Sequence, residues 1–143
     1  MIFHNSTVQK KFFNKGVIRV GIESVKVGDY LRAINTKNLE YELVKVISIV
    51  KVKVHKCTFK TSTLESIECA KISKFFCLND SYSLWTPDHS FSYDFRLVKR
   101  KNKHIYTPFV KEVQHSTFTY DFYDLVIEGT DVALLVDGYA RIF

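Results

Sequence analysis

The sequence lacks any long apolar segment. No apolar run approaches the roughly 18 residues that a membrane-spanning helix needs. Residues 1–16 mix polar and charged side chains such as His4, Asn5 and Lys10 among their apolar ones, a pattern that argues against a secretory signal peptide. We therefore expect a soluble, intracellular protein of the cytoplasm with no membrane partner.

Cysteine is scarce and is not arranged in metal-binding pairs. The three cysteines, Cys57, Cys69 and Cys77, include no Cys-x-x-Cys pair that would pre-form half of a zinc site. His55 or His89 would have to complete such a site, and the wide spacings argue against it. An odd number of cysteines without an export signal is typical of reduced, packed thiols. We expect no metal and no cofactor.

Positive charge exceeds negative charge, with 21 Lys and Arg against 15 Asp and Glu and a net charge of +6. The densest part is the cluster Lys99, Arg100, Lys101, Lys103 and His104. Such a run can hold nucleic-acid phosphates, or it can be the solvated tip of a hairpin, where lysine discourages edge-to-edge strand pairing. No recognition helix or aromatic-rich RNA motif accompanies it, which favours the hairpin tip. We expect a monomer with only weak, nonspecific affinity for nucleic acid.

The hydrophobic pattern has a period of two, which is typical of half-buried β-strands. Residues 44–55, 91–97 and 118–122 alternate in this way and are rich in β-branched and aromatic side chains. The first of these segments predicts a bent strand that serves two sheets. Shorter strands are predicted at residues 17–22, 30–34, 75–78, 84–86, 105–110, 124–127 and 132–136. One short helix is predicted after Ser62, where Glu65 would complete a capping box.

Length and turn signals indicate one domain. A chain of 143 residues lies within the range of about 100–150 residues that is most common for domains. No linker, low-complexity tract or repeat divides it, and many short, evenly spaced strands favour a sandwich, a barrel or a related closed β architecture. We therefore expect a single all-β domain that spans residues 1–143.

Three segments carry a resemblance to a known family. They are residues 25–30, 85–91 and 122–131, and within the second of them Thr86-Pro87-Asp88-His89 is similar to a Thr-x-x-His motif. In this order and at these separations they resemble the Hint family, which comprises inteins and the self-processing domains of hedgehog proteins. The whole chain resembles a mini-intein without an endonuclease domain. The resemblance implies a disc or horseshoe of bent antiparallel strands with pseudo-two-fold halves, in which both termini meet at the centre.

The resemblance also implies a set of catalytic residues. Self-splicing begins when a Cys or Ser at the first position of the domain attacks the preceding peptide bond, which converts an amide to a thioester or ester. The site must polarise the carbonyl and protonate the leaving nitrogen. In the family a Thr and a His do this, and they correspond here to Thr86 and His89. Asp124 corresponds to an Asp that sets the protonation of the nucleophile and coordinates the two cleavage steps.

The terminal residues depart from the family pattern. The alignment puts Ile2 at the position of the first nucleophile, and an isoleucine has no group that attacks a carbonyl. Ile142 and Phe143 stand where the family has the His and Asn that release the C-terminal flank. Asp131 stands at the position of another family His. We therefore predict that the chain as written does not splice.

Three alternatives to a natural loss of splicing stay open. An active intein whose junctions were engineered or removed would carry the same residues. Ser6 would be the nucleophile in a shifted alignment that cuts after Asn5, and the triplet at residues 4–6 also resembles an intein's C-terminal junction. A third alternative is a basic β module that binds an acidic partner or nucleic acid, which salt-dependent binding would reveal. If the chain is a self-processing domain, its partner is the flanking polypeptide of a host protein.

Overall fold

The computed structural model describes residues 1–79, 83–88 and 95–143. Within them the chain forms thirteen strands, all paired antiparallel, and one 3-10 turn at Ile22–Ser24. The strands are β1 Ile2–Phe3, β2 Thr7–Phe12, β3 Gly16–Gly21, β4 Tyr30–Asn35, β5 Tyr41–Thr61, β6 Ser66–Ala70, β7 Lys74–Phe76, β8 Leu84–Trp85, β9 Lys99–Lys101, β10 His104–Tyr106, β11 Val110–Ile127, β12 Val132–Val136 and β13 Tyr139–Ile142.

Two long strands, β5 and β11, form the spine of the fold. They pair with each other along most of their length, and β5 also pairs with β4 near its start and with β6 near its end. This arrangement confirms the predicted bent strand that serves two sheets. The register shifts between Val126 and Ile127, which leaves one extra residue in β5 and reverses its alternation. As a result Val46 and Ile49 pack into the core, whereas Val50 is 53% exposed.

The core contains two large apolar clusters. The first joins β1, β2, β4, β5, β11 and β12, and both ends of the chain pack into it. The second is aromatic: the Phe59 ring centroid lies 5.3 Å from that of Phe75 and 5.2 Å from that of Trp85, both in edge-on geometry. All three cysteines are buried in this second cluster, as predicted. Strand β7, which contributes Phe75, therefore links the aromatic cluster to the end of the chain through its pairing with β13.

The helix predicted after Ser62 is absent, and the prediction is wrong. Residues 62–65 form a tight turn between β5 and β6, with Leu64 at a φ of +66°. The two capping residues are used in tertiary contacts instead. Ser62 Oγ accepts a hydrogen bond from the backbone N–H of Phe109 at 2.9 Å, and Glu65 accepts one from Lys99 Nζ at 2.6 Å. Because these long-range partners satisfy both side chains, the local capping box does not form.

Two other predicted strands differ in extent from those observed. The predicted strand at residues 105–110 is interrupted, since β10 ends at Tyr106 and β11 begins at Val110. Pro108 lies in the gap and has no N–H to donate to a strand ladder. The predicted strand at residues 91–97 lies mostly outside the described residues. The basic cluster lies on the β9–β10 hairpin, whose tip is at Asn102, as the hairpin interpretation predicted.

No helix among the described residues is long and apolar enough to span a bilayer. In the same part of the chain, no group of three His, Cys, Asp or Glu side chains is placed to hold a metal ion.

Candidate functional site at the chain ends

The two ends of the chain meet. Ile2 is fully buried in the first core cluster, and Phe143 packs against the same cluster. Strand β1 pairs with β11, which places Ile2 opposite Tyr123. A hydrogen bond of 3.2 Å from Arg141 Nη1 to the carbonyl oxygen of Met1 joins the last strand directly to the first residue. The ends therefore lie side by side, as the resemblance implies.

At the place where the two chain ends meet, which we call the junction, side chains from two different elements hold the carbonyl oxygen of Met1. It accepts one hydrogen bond from Ser73 Oγ and one from Arg141 Nη1, each at 3.2 Å. Ser73 lies in the turn between β6 and β7, and its Oγ also accepts a hydrogen bond of 3.0 Å from the N–H of Ala70. Ser73 and Arg141 are 2% and 1% exposed, so both donors act away from bulk water. This carbonyl belongs to the peptide bond that precedes Ile2.

Arg141 is a buried cation without a carboxylate partner among the described residues. Its guanidinium lies 4.7 Å from the ring centroid of Phe75, and Nη2 donates to the carbonyl oxygen of Glu68 at 3.3 Å. Its Nε has no hydrogen-bond partner. Burial lowers the pKa of Arg141, although an arginine stays protonated at any pH that a folded protein meets. Arg141 lies opposite Phe75 on the neighbouring strand, and from this position its guanidinium reaches the Met1 carbonyl.

Asp124 lies at the outer edge of the junction. Its Oδ1 is 4.0 Å from the amino nitrogen of Met1, and its side chain is 59% exposed. Burial and the nearby Arg141 charge lower the pKa of the Met1 amino group to about 5, against the opposing effect of Asp124. The carboxylate therefore faces the residue before Ile2, where the resemblance expects an Asp.

Thr86 directly follows β8, and strand β7 lies between β8 and the last strand, β13. Strand β8 pairs with β7, and continuing that register puts Thr86 opposite Lys74, which is itself opposite Ile142 on β13. The Met1 carbonyl takes its described hydrogen bonds from Ser73 and Arg141, and Thr86 is not a donor to it. His89 lies outside the described residues.

An ion pair links the turn after Thr86 to the β6–β7 turn, which carries Ser73. Asp88 forms an ion pair of 3.3 Å with Lys71, which lies in the same β6–β7 turn as Ser73. Pro87 is buried. The Thr-Pro-Asp segment is thus held against the turn that presents Ser73 to the Met1 carbonyl.

The downstream end opens into a separate pocket of about 460 Å³. Ile142, Phe143 and Asp131 line it together with both apolar and polar residues, the polar ones being Thr36 and Ser83. The Asp131 carboxylate is 52% exposed and forms an ion pair of 3.3 Å with Lys37. The resemblance expects a His at this position, and the carboxylate found there pairs with an exposed lysine.

A larger polar cleft of about 750 Å³ lies between β2, the β5–β6 turn and the β9–β10 hairpin. Tyr41 is held there between two guanidinium groups, with its ring centroid 4.3 Å from Arg32 and 4.4 Å from Arg100. Arg19 and Lys101 also line this cleft.

Sequence reasoning missed Ser73 and Arg141. The available signal was a charged residue inside the otherwise apolar run at residues 139–143, since arginine is almost never fully buried unless it has a specific partner. Ser73 gave no comparable signal, because a serine before a strand is an ordinary turn residue.

An all-antiparallel β fold with long bent strands and both chain ends in its centre defines the Hint class of folds. Solved inteins have this fold. The chain matches a DnaB intein from Synechocystis sp. PCC 6803 with a TM-score of 0.78 and 17% identity, covering 98% of this chain and 95% of that one. It matches the gp41-1 intein with a TM-score of 0.74 and 13% identity, covering 98% and 95%. A bacterial intein-like domain from Clostridium thermocellum matches with a TM-score of 0.68 and 16% identity, covering 96% and 97%.

No protein-family model and no curated protein matches the sequence. The structural likenesses confirm the predicted all-β, Hint-like fold, in the form that carries no endonuclease domain.

Proposed function

We infer that this chain is a single intein-like self-processing domain that keeps the binding geometry of its upstream junction but has lost the nucleophile that starts splicing. The observation that carries the proposal is the contrast across one peptide bond. The Met1 carbonyl is held by two buried donors, whereas the next residue, Ile2, presents only a hydrocarbon side chain. The partner of such a domain is the polypeptide fused to it.

The position of Ser6 supports Ile2 as the aligned residue. Ser6 is 3% exposed and lies in a turn in which its N–H donates to the Phe3 carbonyl at 2.9 Å. Its own carbonyl accepts from the N–H of Ile22 at 3.0 Å. The paired donors serve the peptide bond before Ile2, four residues upstream of Ser6, so a nucleophile at Ser6 would not use them.

The test places the chain, unchanged, between two folded reporter proteins. We expect the fusion to stay intact by gel and by intact mass, because neither Ile2 nor Phe143 can start or finish the rearrangement. An Ile2→Ala fusion is the matched control and should behave identically. Ligation of the reporters by the unchanged chain would contradict the proposal and would favour an active domain.

A second candidate function, a basic binding module, is favoured by the polar cleft. The Arg32–Tyr41–Arg100 stack presents guanidinium groups that form no ion pair with a carboxylate among the described residues. Carboxylate or phosphate groups are the natural partners of such groups. This candidate predicts binding that weakens steeply with salt and that Arg32→Gln reduces, whereas self-processing is unaffected by that change.

A further inference from the structure

We propose that Ser73 and Arg141 form an oxyanion-stabilising pair for the carbonyl of the Met1–Ile2 peptide bond. The proposal rests on the self-processing function inferred above and assigns two residues to its first step. By this assignment the chain polarises its upstream junction with a buried guanidinium from its last strand and with the hydroxyl of a turn residue, neither of which belongs to the Thr86–His89 motif.

The first argument is convergence. Ser73 comes from the β6–β7 turn and Arg141 from β13, yet both donors reach the same oxygen at 3.2 Å. Two donors saturate the two lone pairs of a carbonyl oxygen. The Arg141 distance is at the long end of the range for N–H···O bonds, and the Ser73 distance lies slightly beyond the range for O–H···O bonds. Both bonds therefore have room to shorten when that oxygen gains negative charge.

The second argument is the charge. Holding three strands together would require only neutral donors, but the structure places a full cation at this point, 1% exposed and without a carboxylate partner among the described residues. A buried, unpaired charge is costly in the resting fold. It acts most strongly on a charge that appears nearby in the same buried environment, as on the oxygen of a tetrahedral intermediate.

The third argument is the orientation of the side chain. The face of Phe75, at 4.7 Å, and the Glu68 carbonyl, at 3.3 Å, hold the guanidinium from two directions. Only Nη1 is directed to the Met1 carbonyl, and Nε is left without a partner. The group is therefore pre-oriented toward the junction, and no reorganisation is needed when the carbonyl is attacked.

The step that the pair would assist is an isomerisation. In an Ile2→Cys chain, Sγ of the new cysteine bonds to the carbonyl carbon of Met1, and the negative charge collects on the oxygen that Ser73 and Arg141 hold. The bond from that carbon to the residue 2 nitrogen then breaks, and the thiol proton ends on the freed amine. No other reactant is consumed. An added thiol then exchanges with the thioester and releases the upstream polypeptide.

The kinetic test uses a reporter fused before Met1 in the Ile2→Cys background, with thiol-induced release as the measured rate. We expect Arg141→Gln to slow release by about 10²–10³-fold, the usual loss when one oxyanion donor is removed. Ser73→Ala should slow it, and Ser73→Thr should restore the rate because it restores the hydroxyl. Arg96→Gln is the matched control, since Arg96 also lies over an aromatic ring, Phe109 at 4.6 Å, but is exposed and far along the chain from the junction. Unchanged release in a folded Arg141→Gln or Ser73→Ala chain would overturn the proposal.

A spectroscopic test measures hydrogen bonding to the Met1 carbonyl in a chain that carries out no reaction. The chain contains a single methionine, so methionine labelled with ¹³C at its carbonyl marks only the Met1 carbonyl. In the unmodified chain, Ser73→Ala should move the labelled amide band to higher wavenumber in isotope-edited infrared spectra, and Ser73→Thr should reverse the move. A band that does not respond would overturn the pairing. A band that responds in a chain whose Ile2→Cys form makes no thioester would support the pairing and count against the self-processing function.

Discussion

The two ends of the chain occupy one part of the fold but differ in chemistry. At the upstream end, the Met1 carbonyl has two buried donors and Asp124 lies 4.0 Å from the Met1 nitrogen. At the downstream end, Ile142 and Phe143 line a pocket whose charged lining residue, Asp131, is paired with Lys37. One end thus has a polar network around a peptide bond, whereas at the other end the two apolar side chains of Ile142 and Phe143 border an open pocket. Under the proposed function, the difference means that a chain can lack the nucleophile at residue 2 and still hold the carbonyl of the peptide bond before it.

The largest effect that we expect on stability comes from the upstream end. Ile2 is 0% exposed, so Ile2→Ala should lower the free energy of unfolding by about 2–4 kcal/mol, the usual cost of truncating a buried isoleucine. Phe143 is only partly buried, and Phe143→Ala should cost about 1–2 kcal/mol. Urea unfolding measures both. Ile47→Ala, at a side chain 45% exposed, is the control and should change stability by less than about 0.5 kcal/mol. Equal losses of unfolding free energy for Ile2→Ala and Phe143→Ala would contradict the expected difference in packing between the two ends.

Introducing the family's His and Asn at the downstream end should give slower cleavage than introducing a Cys at residue 2. With a reporter fused after residue 143, Ile142→His combined with Phe143→Asn should release that reporter at least about tenfold more slowly than Ile2→Cys with thiol releases an upstream one. The reason is that Asp131, the charged residue among those that line the downstream pocket, is already paired with Lys37. Time courses by intact mass measure both rates. Faster release downstream would contradict the chemical difference between the two ends.

Glu65 should make the half of the fold that contains β13 sensitive to acid. Burial by itself raises the pKa of Glu65, but hydrogen bonds from Lys99 and Tyr139 outweigh burial and lower the pKa below its usual 4.5. A lowered folded-state pKa contributes stability above the unfolded-state value, and that stability is lost as the pH falls through the folded-state pKa. Stability should therefore decline below a pH of about 4.5, and Glu65→Gln should flatten the decline. If Glu65→Gln had the same pH profile as the unchanged chain, the Glu65 carboxylate would not be the source of the acid sensitivity.

The smallest effect concerns the basic hairpin. Duplex DNA binding should be detectable only at low salt, with a slope of about 0.9 in the logarithm of affinity per phosphate contact. Replacing Lys101 and Lys103 by Gln should lower that slope by one contact each, since both lie at the hairpin tip. Fluorescence anisotropy across a salt series measures this. Tight binding at high salt would favour the basic binding module over the self-processing domain.

Sequence patterns predicted the regular strands better than the site. Strand β12 matches its prediction residue for residue because its side chains pack into the core without a bulge. Strand β2 was not predicted, since only Val8 of its six residues is buried and the strand carries no alternating signal. The meeting of Ile2 and Phe143 followed only from the family resemblance, because no local pattern encodes a contact between residues so far apart. Arg141 was missed because its burial depends on β7 and the Met1 carbonyl, which only the tertiary structure brings together.

The most direct test of the central claim is one substitution in one fusion protein. A folded reporter is placed before Met1, Ile2 is changed to Cys, and the fusion is treated with a small thiol. If the junction keeps its binding geometry, the reporter is released as a thioester that intact mass identifies, while the Ile2→Ala fusion stays whole. A contradicting result would be an Ile2→Cys chain that folds but releases no reporter at any thiol concentration. In that case the upstream end does not process a peptide bond, and the claim that it keeps its binding geometry without a nucleophile is wrong.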